Sequence, residues 1–100
     1  MSKTWYGVRI LVADEQKKHR LLVEFIMPFK KEFKNSYDSY HFFRYAEKDG
    51  TKYIRFRLFG DEDKIDQLKN ELEKRLEGLK GTLIIRYEPE SYTGEELAPL

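Results

Sequence analysis

Five of the seven arginines in this 100-residue chain fall on alternate positions of segments with strand character: Arg9, Arg44, Arg55, Arg57 and Arg86. Guanidinium presents a planar fork of donors suited to carboxylate, to phosphate or to an aromatic plane. Lysine is kept to the termini, loops and helical segments. Trp5, Tyr53 and Phe59 share the parity of the arginines in their own strands, so aromatic rings and guanidinium groups are expected on one sheet face. Such a face suits a bound anion, a peptide carboxylate or stacked bases. The nearest acidic partners in sequence are Glu88, Glu90, Glu95 and Glu96. They are expected to fold back onto the arginine face, within the chain or across a dimer, with Glu90 supporting the site.

Other chemistries find little footing. Cysteine is absent, which removes disulfides and thiolate ligands. The two histidines, His19 and His41, lack metal-ligand spacing. His19 falls on a polar helical stretch, and His41 has the parity of Phe43 and Tyr45, which suggests a core or edge position. No Gly-rich phosphate loop occurs, and no nucleophile–base pair can be placed in contact. The reading is no metal, no cofactor and no assigned catalytic residue. The formal net charge of +1 supplies no global basic field, so any anion site must be local.

These side chains need a scaffold, and hydrophobic periodicity supplies one. Trp5–Ala13 reads as a strand with Tyr6, Val8, Ile10 and Val12 inward and Trp5, Gly7, Arg9 and Leu11 outward. Asp14 caps a helix carrying Leu22, Phe25, Ile26, Phe29 and Phe33, with Pro28 kinking or splitting it. His41–Glu47 and Lys52–Phe59 are strands joined by Lys48-Asp49-Gly50-Thr51, a hairpin signal. Asp61 opens a second helix with a stripe of Ile65, Leu68, Leu72, Leu76 and Leu79, ended by Gly78 and Gly81. Thr82–Tyr87 reads as the last strand, with Leu83, Ile85 and Tyr87 inward and Ile84 and Arg86 outward.

The order βαββαβ predicts an α+β, ferredoxin-like sandwich: a four-stranded antiparallel sheet with two helices on one face. Residues 1–87 form the single domain and 88–100 a C-terminal tail. Trp5, Leu11, Phe42, Tyr53, Phe59 and Ile84 are counted on the uncovered face, a patch large enough to mark an interface. Three occupants compete for it: a second copy in a homodimer, a peptide or small anion, and single-stranded RNA. No apolar run approaches the ~18 residues of a membrane span, and the N-terminus shows no signal-peptide pattern, so the cytoplasm is the expected location. Abundant Glu and Lys beside two Asn and two Gln give a thermophile-like composition.

The motifs resemble, in order, the C-terminal, elimination-type domain of lantibiotic dehydratases and the related thiopeptide-type bacteriocin biosynthesis domain. Trp5-Tyr6 is similar to the opening Trp-aromatic strand, and Leu21-Leu22 with Met27-Pro28-Phe29 to the proline-bearing helix. Phe42-Phe43-Arg44-Tyr45 resembles an aromatic-aromatic-x-Arg-Tyr strand, here without the intervening residue. Tyr53-Ile54-Arg55-Phe56-Arg57 resembles the His-x-Arg-x-Arg strand with Tyr in place of His. Tyr87-Glu88-Pro89-Glu90, Tyr92 and Gly94 resemble the closing Tyr-x-Pro-Glu and Arg-Tyr-Gly-Gly elements. The resemblance implies that Arg44, Arg55 and Arg57 contact a modified peptide or its glutamyl group. The family domain is considerably longer, and its elimination histidine lies in a part this sequence lacks. The implied role is therefore a small binding or accessory domain, not a complete dehydratase.

Overall fold

The structure, a computed structural model, describes residues 2–46 and 48–90. Strand β1 is Lys3–Val12, followed by helix α1 at Glu15–Leu21, a π-helical turn at Leu22–Ile26 and helix α2 at Met27–Glu32. Strands β2 (Ser39–Ala46) and β3 (Lys52–Asp61), helix α3 (Glu62–Leu79) and strand β4 (Arg86–Glu90) complete the order. The sheet runs β2-β3-β1-β4, antiparallel throughout, with β1 and β3 central. This is the expected α+β, ferredoxin-like arrangement. Among the described residues no helix is long and apolar enough to cross a membrane.

Local chemistry explains each boundary. The Asp14 carboxylate accepts the Lys17 backbone N–H at 2.8 Å and starts α1. Pro28 neither splits nor sharply ends the helix. It lacks the N–H that an α-turn would use, and the wider turn just before it absorbs the mismatch. There the Met27 N–H donates to the Leu22 carbonyl, five residues back. Gly50 in the β2–β3 turn takes φ +92°, a conformation open to glycine. Asp61 precedes α3, with Glu62 and Asp63 in the first turn, where the helix dipole favours negative charge.

The helices cover one face only. Val8 and Ile10 of β1 and Ile54, Phe56 and Leu58 of β3 meet Leu21, Ile26 and Phe29 from the first helical stretch and Ile65, Leu68, Leu72 and Leu76 from α3. Across the two helical stretches, Arg75 of α3 donates to both Glu32 oxygens at 3.0 and 2.8 Å. Its guanidinium lies 5.5 and 5.2 Å from the ring centres of Phe29 and Phe33.

The last strand departs from the expected one. It begins at Arg86, not Thr82, and Glu88 to Glu90 belong to it. Leu83 and Ile84 are both buried while Ile85 is half exposed. Two consecutive inward side chains cannot lie on a pleated strand, whose successive side chains point to opposite faces. The backbone instead bends, with Gly81 at φ +85° donating its N–H to the Ile84 carbonyl at 3.0 Å. The Ile85 N–H then reaches the Leu11 carbonyl at 2.8 Å and brings the chain into the sheet. Ile84, expected on the uncovered face, therefore closes the core. This geometry separates two neighbouring isoleucines. Ile84→Ala is expected to cost about 2–5 kcal/mol and Ile85→Ala under about 0.5 kcal/mol in urea unfolding. The order reverses if Ile85 is the core residue.

Candidate functional site

Strand register builds the helix-free face as rows of side chains crossing the sheet. One row reads Phe43, Arg55, Arg9, Glu88, and the next His41, Arg57, Gly7, Glu90. They are flanked by Tyr45, Tyr53, Leu11, Arg86 on one side and Ser39, Phe59, Trp5 on the other. Arg9, Arg55, Arg57 and Arg86 thus share this face with Trp5, Tyr53, Phe59 and Glu90. The face gathers both sequence-predicted aromatics and arginines around the two central strands.

Arg44 stands apart. It pairs with Ile54, and Phe42 pairs with Phe56, so both project on the helix-covered side. Expecting them on the arginine face was an error of parity. The strand Tyr40-His41-Phe42-Phe43-Arg44-Tyr45 carries aromatics at both parities, so alternation alone does not say which face is inward. A shift of one residue moves every side chain of a strand to the opposite face. Arg44 is exposed, while Phe42 packs against the rim of the core.

Arg9 and Arg55 each face a ring and a carboxylate. The Arg9 Nε donates to Glu88 Oε1 at 3.0 Å, and its guanidinium lies 5.1 Å from the Tyr53 ring centre. This pair raises the Arg9 pKa, and the guanidinium holds the Glu88 carboxyl below its ordinary value of 4.5. Arg55 Nε stands 3.4 Å from Glu90 Oε1 and 5.4 Å from the Tyr45 ring centre, measured from the guanidinium carbon. Arg86 reaches the second Glu88 oxygen at 3.4 Å. Of the four glutamates expected to fold back, Glu88 and Glu90 do so as β4 residues, while Glu95 and Glu96 lie outside the described residues.

Arg57 is the most buried of these arginines, only 4% exposed, with its guanidinium 5.9 Å from the Phe43 ring centre. Gly7 makes this possible. A Cβ at Gly7 would sit 3.3 Å from Arg57 Cγ and 3.8 Å from the Glu90 Cβ. The bare glycine lets the arginine stem lie flat across β1 toward β4.

His41 joins this face too, a placement the sequence suggested only as core or edge. It sits opposite Arg57 with its ring centre 5.2 Å from that of Trp5, and Trp5 lies 4.9 Å from Phe59. Its Nδ1 is buried without a hydrogen-bond partner among the described residues. The signal that finds both His41 and Gly7 is the register, which needs the hairpin length as well as strand parity. No group of three or more His, Asp or Glu fit to hold a metal occurs among the described residues.

A family model described as lantibiotic biosynthesis dehydratase C-term matches residues 5–99. Among solved structures, the chain is similar to the tRNA dependent lantibiotic dehydratase MibB from Microbispora sp. 107891, with a TM-score of 0.73 and 22% identity. That match covers 91% of this chain but 9% of that one. The de novo designed protein Foldit4 gives a TM-score of 0.64 at 21% identity, over 92% of this chain and 98% of the design. The de novo designed LFR1 1, with ferredoxin fold, gives 0.56 at 21% identity, over 100% and 91%. At such identities these structures establish the fold alone. No curated protein sequence matches.

Two measurements test the site's construction. Gly7→Ala is expected to destabilise the domain by about 1–3 kcal/mol through overpacking against Arg57. An accompanying Arg57→Ala, which shortens the colliding stem, should recover much of that loss in a double-mutant cycle; strict additivity would show that the two do not touch. The second concerns pH. Because the folded Glu88 pKa is depressed, its stabilisation is full above about 4.5 and fades as pH falls below that value. Wild type should therefore lose stability relative to Glu88→Gln between about pH 5 and 3, the gap being under about 1 kcal/mol for a partly exposed pair. Parallel acid unfolding curves would disprove the coupling.

Proposed function

We propose a binding role from one premise: the chain belongs to the lantibiotic biosynthesis dehydratase C-terminal family. MibB is a tRNA dependent lantibiotic dehydratase, and this chain spans 9% of its length. The reading is accordingly an accessory function and not the whole enzyme's activity. The helix-free face holds a carboxylate-bearing peptide, such as one carrying a glutamyl group, between Arg9, Arg55 and Arg57.

The adjacency of two guanidinium groups carries this reading. Arg9 and Arg55 stand on one face with Arg57 and Arg86, near Glu88 and Glu90. Arg9 and Arg55 are direct cross-strand neighbours, and like charges so placed repel. A further carboxylate relieves that repulsion, and Glu88 and Glu90 hold the forks in place until it arrives. Each charge-assisted bond to a guanidinium contributes roughly 1.5–3 kcal/mol. RNA is the weaker reading, because Tyr53 is only 6% exposed and stacks on Tyr45 with ring centres 5.1 Å apart. That ring offers no free face to a base. A second copy packed sheet on sheet would occupy the same surface.

The test titrates a labelled glutamate-containing peptide, its glutamine counterpart and oligouridine at low and physiological salt. The glutamate peptide should bind wild type at least about tenfold more tightly than the glutamine one. Arg55→Ala/Arg57→Ala should abolish the preference. Equal binding of both peptides overturns the reading. Steeply salt-dependent binding of oligouridine replaces it with RNA, and a concentration-dependent dimer that excludes the peptide replaces it with self-association.

A further inference from the structure

The two edges of the sheet are protected unequally. β4 is five residues long, contains Pro89 and carries Arg86, Glu88 and Glu90. Short length, proline and charge all discourage a further strand. β2 is eight residues long, Ser39–Ala46, with no proline and no lysine. Among the described residues no strand pairs with its outer side. Tyr40, Arg44, Tyr45 and Ala46 are exposed. An unpaired edge of this length presents a ready row of backbone donors and acceptors.

One flank of this edge is basic. Lys30, Lys31 and Lys34 of the α2 region border a depression of about 300 Å³ with Met27, Tyr37 and Tyr40. The Lys30 ammonium sits 3.3 Å from the Tyr40 ring centre, beside the strand. Arg44 projects on the same, helix-covered side. None of these four cations forms an ion pair with a carboxylate of the described residues, whereas Arg20 and Arg75 on the helices each do. Arg44 acts on Glu15 only at longer range.

We propose that the outer edge of β2 binds an acidic peptide in extended form, added to the sheet as a fifth strand. Backbone bonds to β2 supply the pairing. Side chains of an added strand alternate between faces. Its acidic residues then fall beside Lys30 and Arg44, and its intervening apolar residues beside His41, Phe43 and Tyr45. The charge selects this occupant over a second copy, because two identical edges would set Lys30 and Arg44 against the same cations. A nucleic-acid strand carries negative charge but no amide ladder to pair with the edge. The proposal shares none of Arg9, Arg55 or Arg57 with the anion site and stands or falls without it.

The probe is a labelled, capped eight-residue peptide of alternating Glu and Val, matched in length to β2. Its controls are the same peptide N-methylated at alternate residues, its Lys-for-Glu counterpart and oligouridine. Anisotropy titrations should show the Glu-Val peptide binding at least about tenfold more tightly than the N-methylated and Lys forms. Lys30→Glu/Arg44→Glu should lose about tenfold, with circular dichroism confirming the fold. Amide NMR shifts on binding should concentrate in residues 39–46. Equal binding of the N-methylated peptide or of oligouridine overturns the proposal, since either reduces the edge to a charged surface. So does the absence of shifts in residues 39–46, or sedimentation showing the edge already closed by a second copy. If the double charge reversal unfolds, the N-methyl comparison on wild type still decides.

Discussion

The ten-residue antiparallel pairing of β1 with β3 constrains everything on either side of the sheet. It places Val8 against Phe56 and Ile10 against Ile54 beneath the helices, and in the same stroke Arg9 against Arg55 and Gly7 against Arg57 on the opposite side. Core and candidate site are two faces of one register. A slip by one residue would turn the arginines into the core and the isoleucines into water. Burial of the apolar face, worth on the order of 25 cal/mol per Å², enforces the alignment that the charged face uses.

That alignment sets two guanidinium groups side by side, and the fold answers with β4. Glu88 and Glu90 reach the sheet because the chain bends at Gly81–Ile85 before extending. The bend in turn depends on Leu83 and Ile84 filling the end of the core. An apolar closure therefore positions the acids that balance the arginines. The aromatic rings contribute in another way. Tyr53, Tyr45 and Phe43 lie under or beside the guanidinium groups and limit their rotation. A preorganised fork loses less freedom when it meets a carboxylate.

Strand β2 carries the arginine that the register sets apart. Phe42-Phe43-Arg44-Tyr45 keeps the residue types of the motif it resembles, yet Arg44 emerges on the helix-covered side. Arg44 leaves the arginine cluster of the helix-free face to Arg9, Arg55, Arg57 and Arg86. It also adds a cation to the flank that already holds Lys30. The same residue type thus serves a different surface, and only its position in the hairpin ladder decides which.

The sequence by itself determined the element order, the two helical stripes, the Asp49-Gly50 turn and the faces of β1 and β3. Around Arg9, Arg55 and Arg57 charged and apolar residues alternate, and burial of one face beneath the helices selects the parity. It did not determine the face of β2, where aromatics occupy both parities and the hairpin length breaks the tie. Nor did it place β4, because Leu83, Ile84 and Ile85 offer three apolar residues in a row and only packing against the core selects the first two. Arg57 lying flat over Gly7, and His41 joining Trp5, arise from contacts between strands far apart in sequence. Local propensity has no term for such contacts, so the tertiary structure alone could assign them.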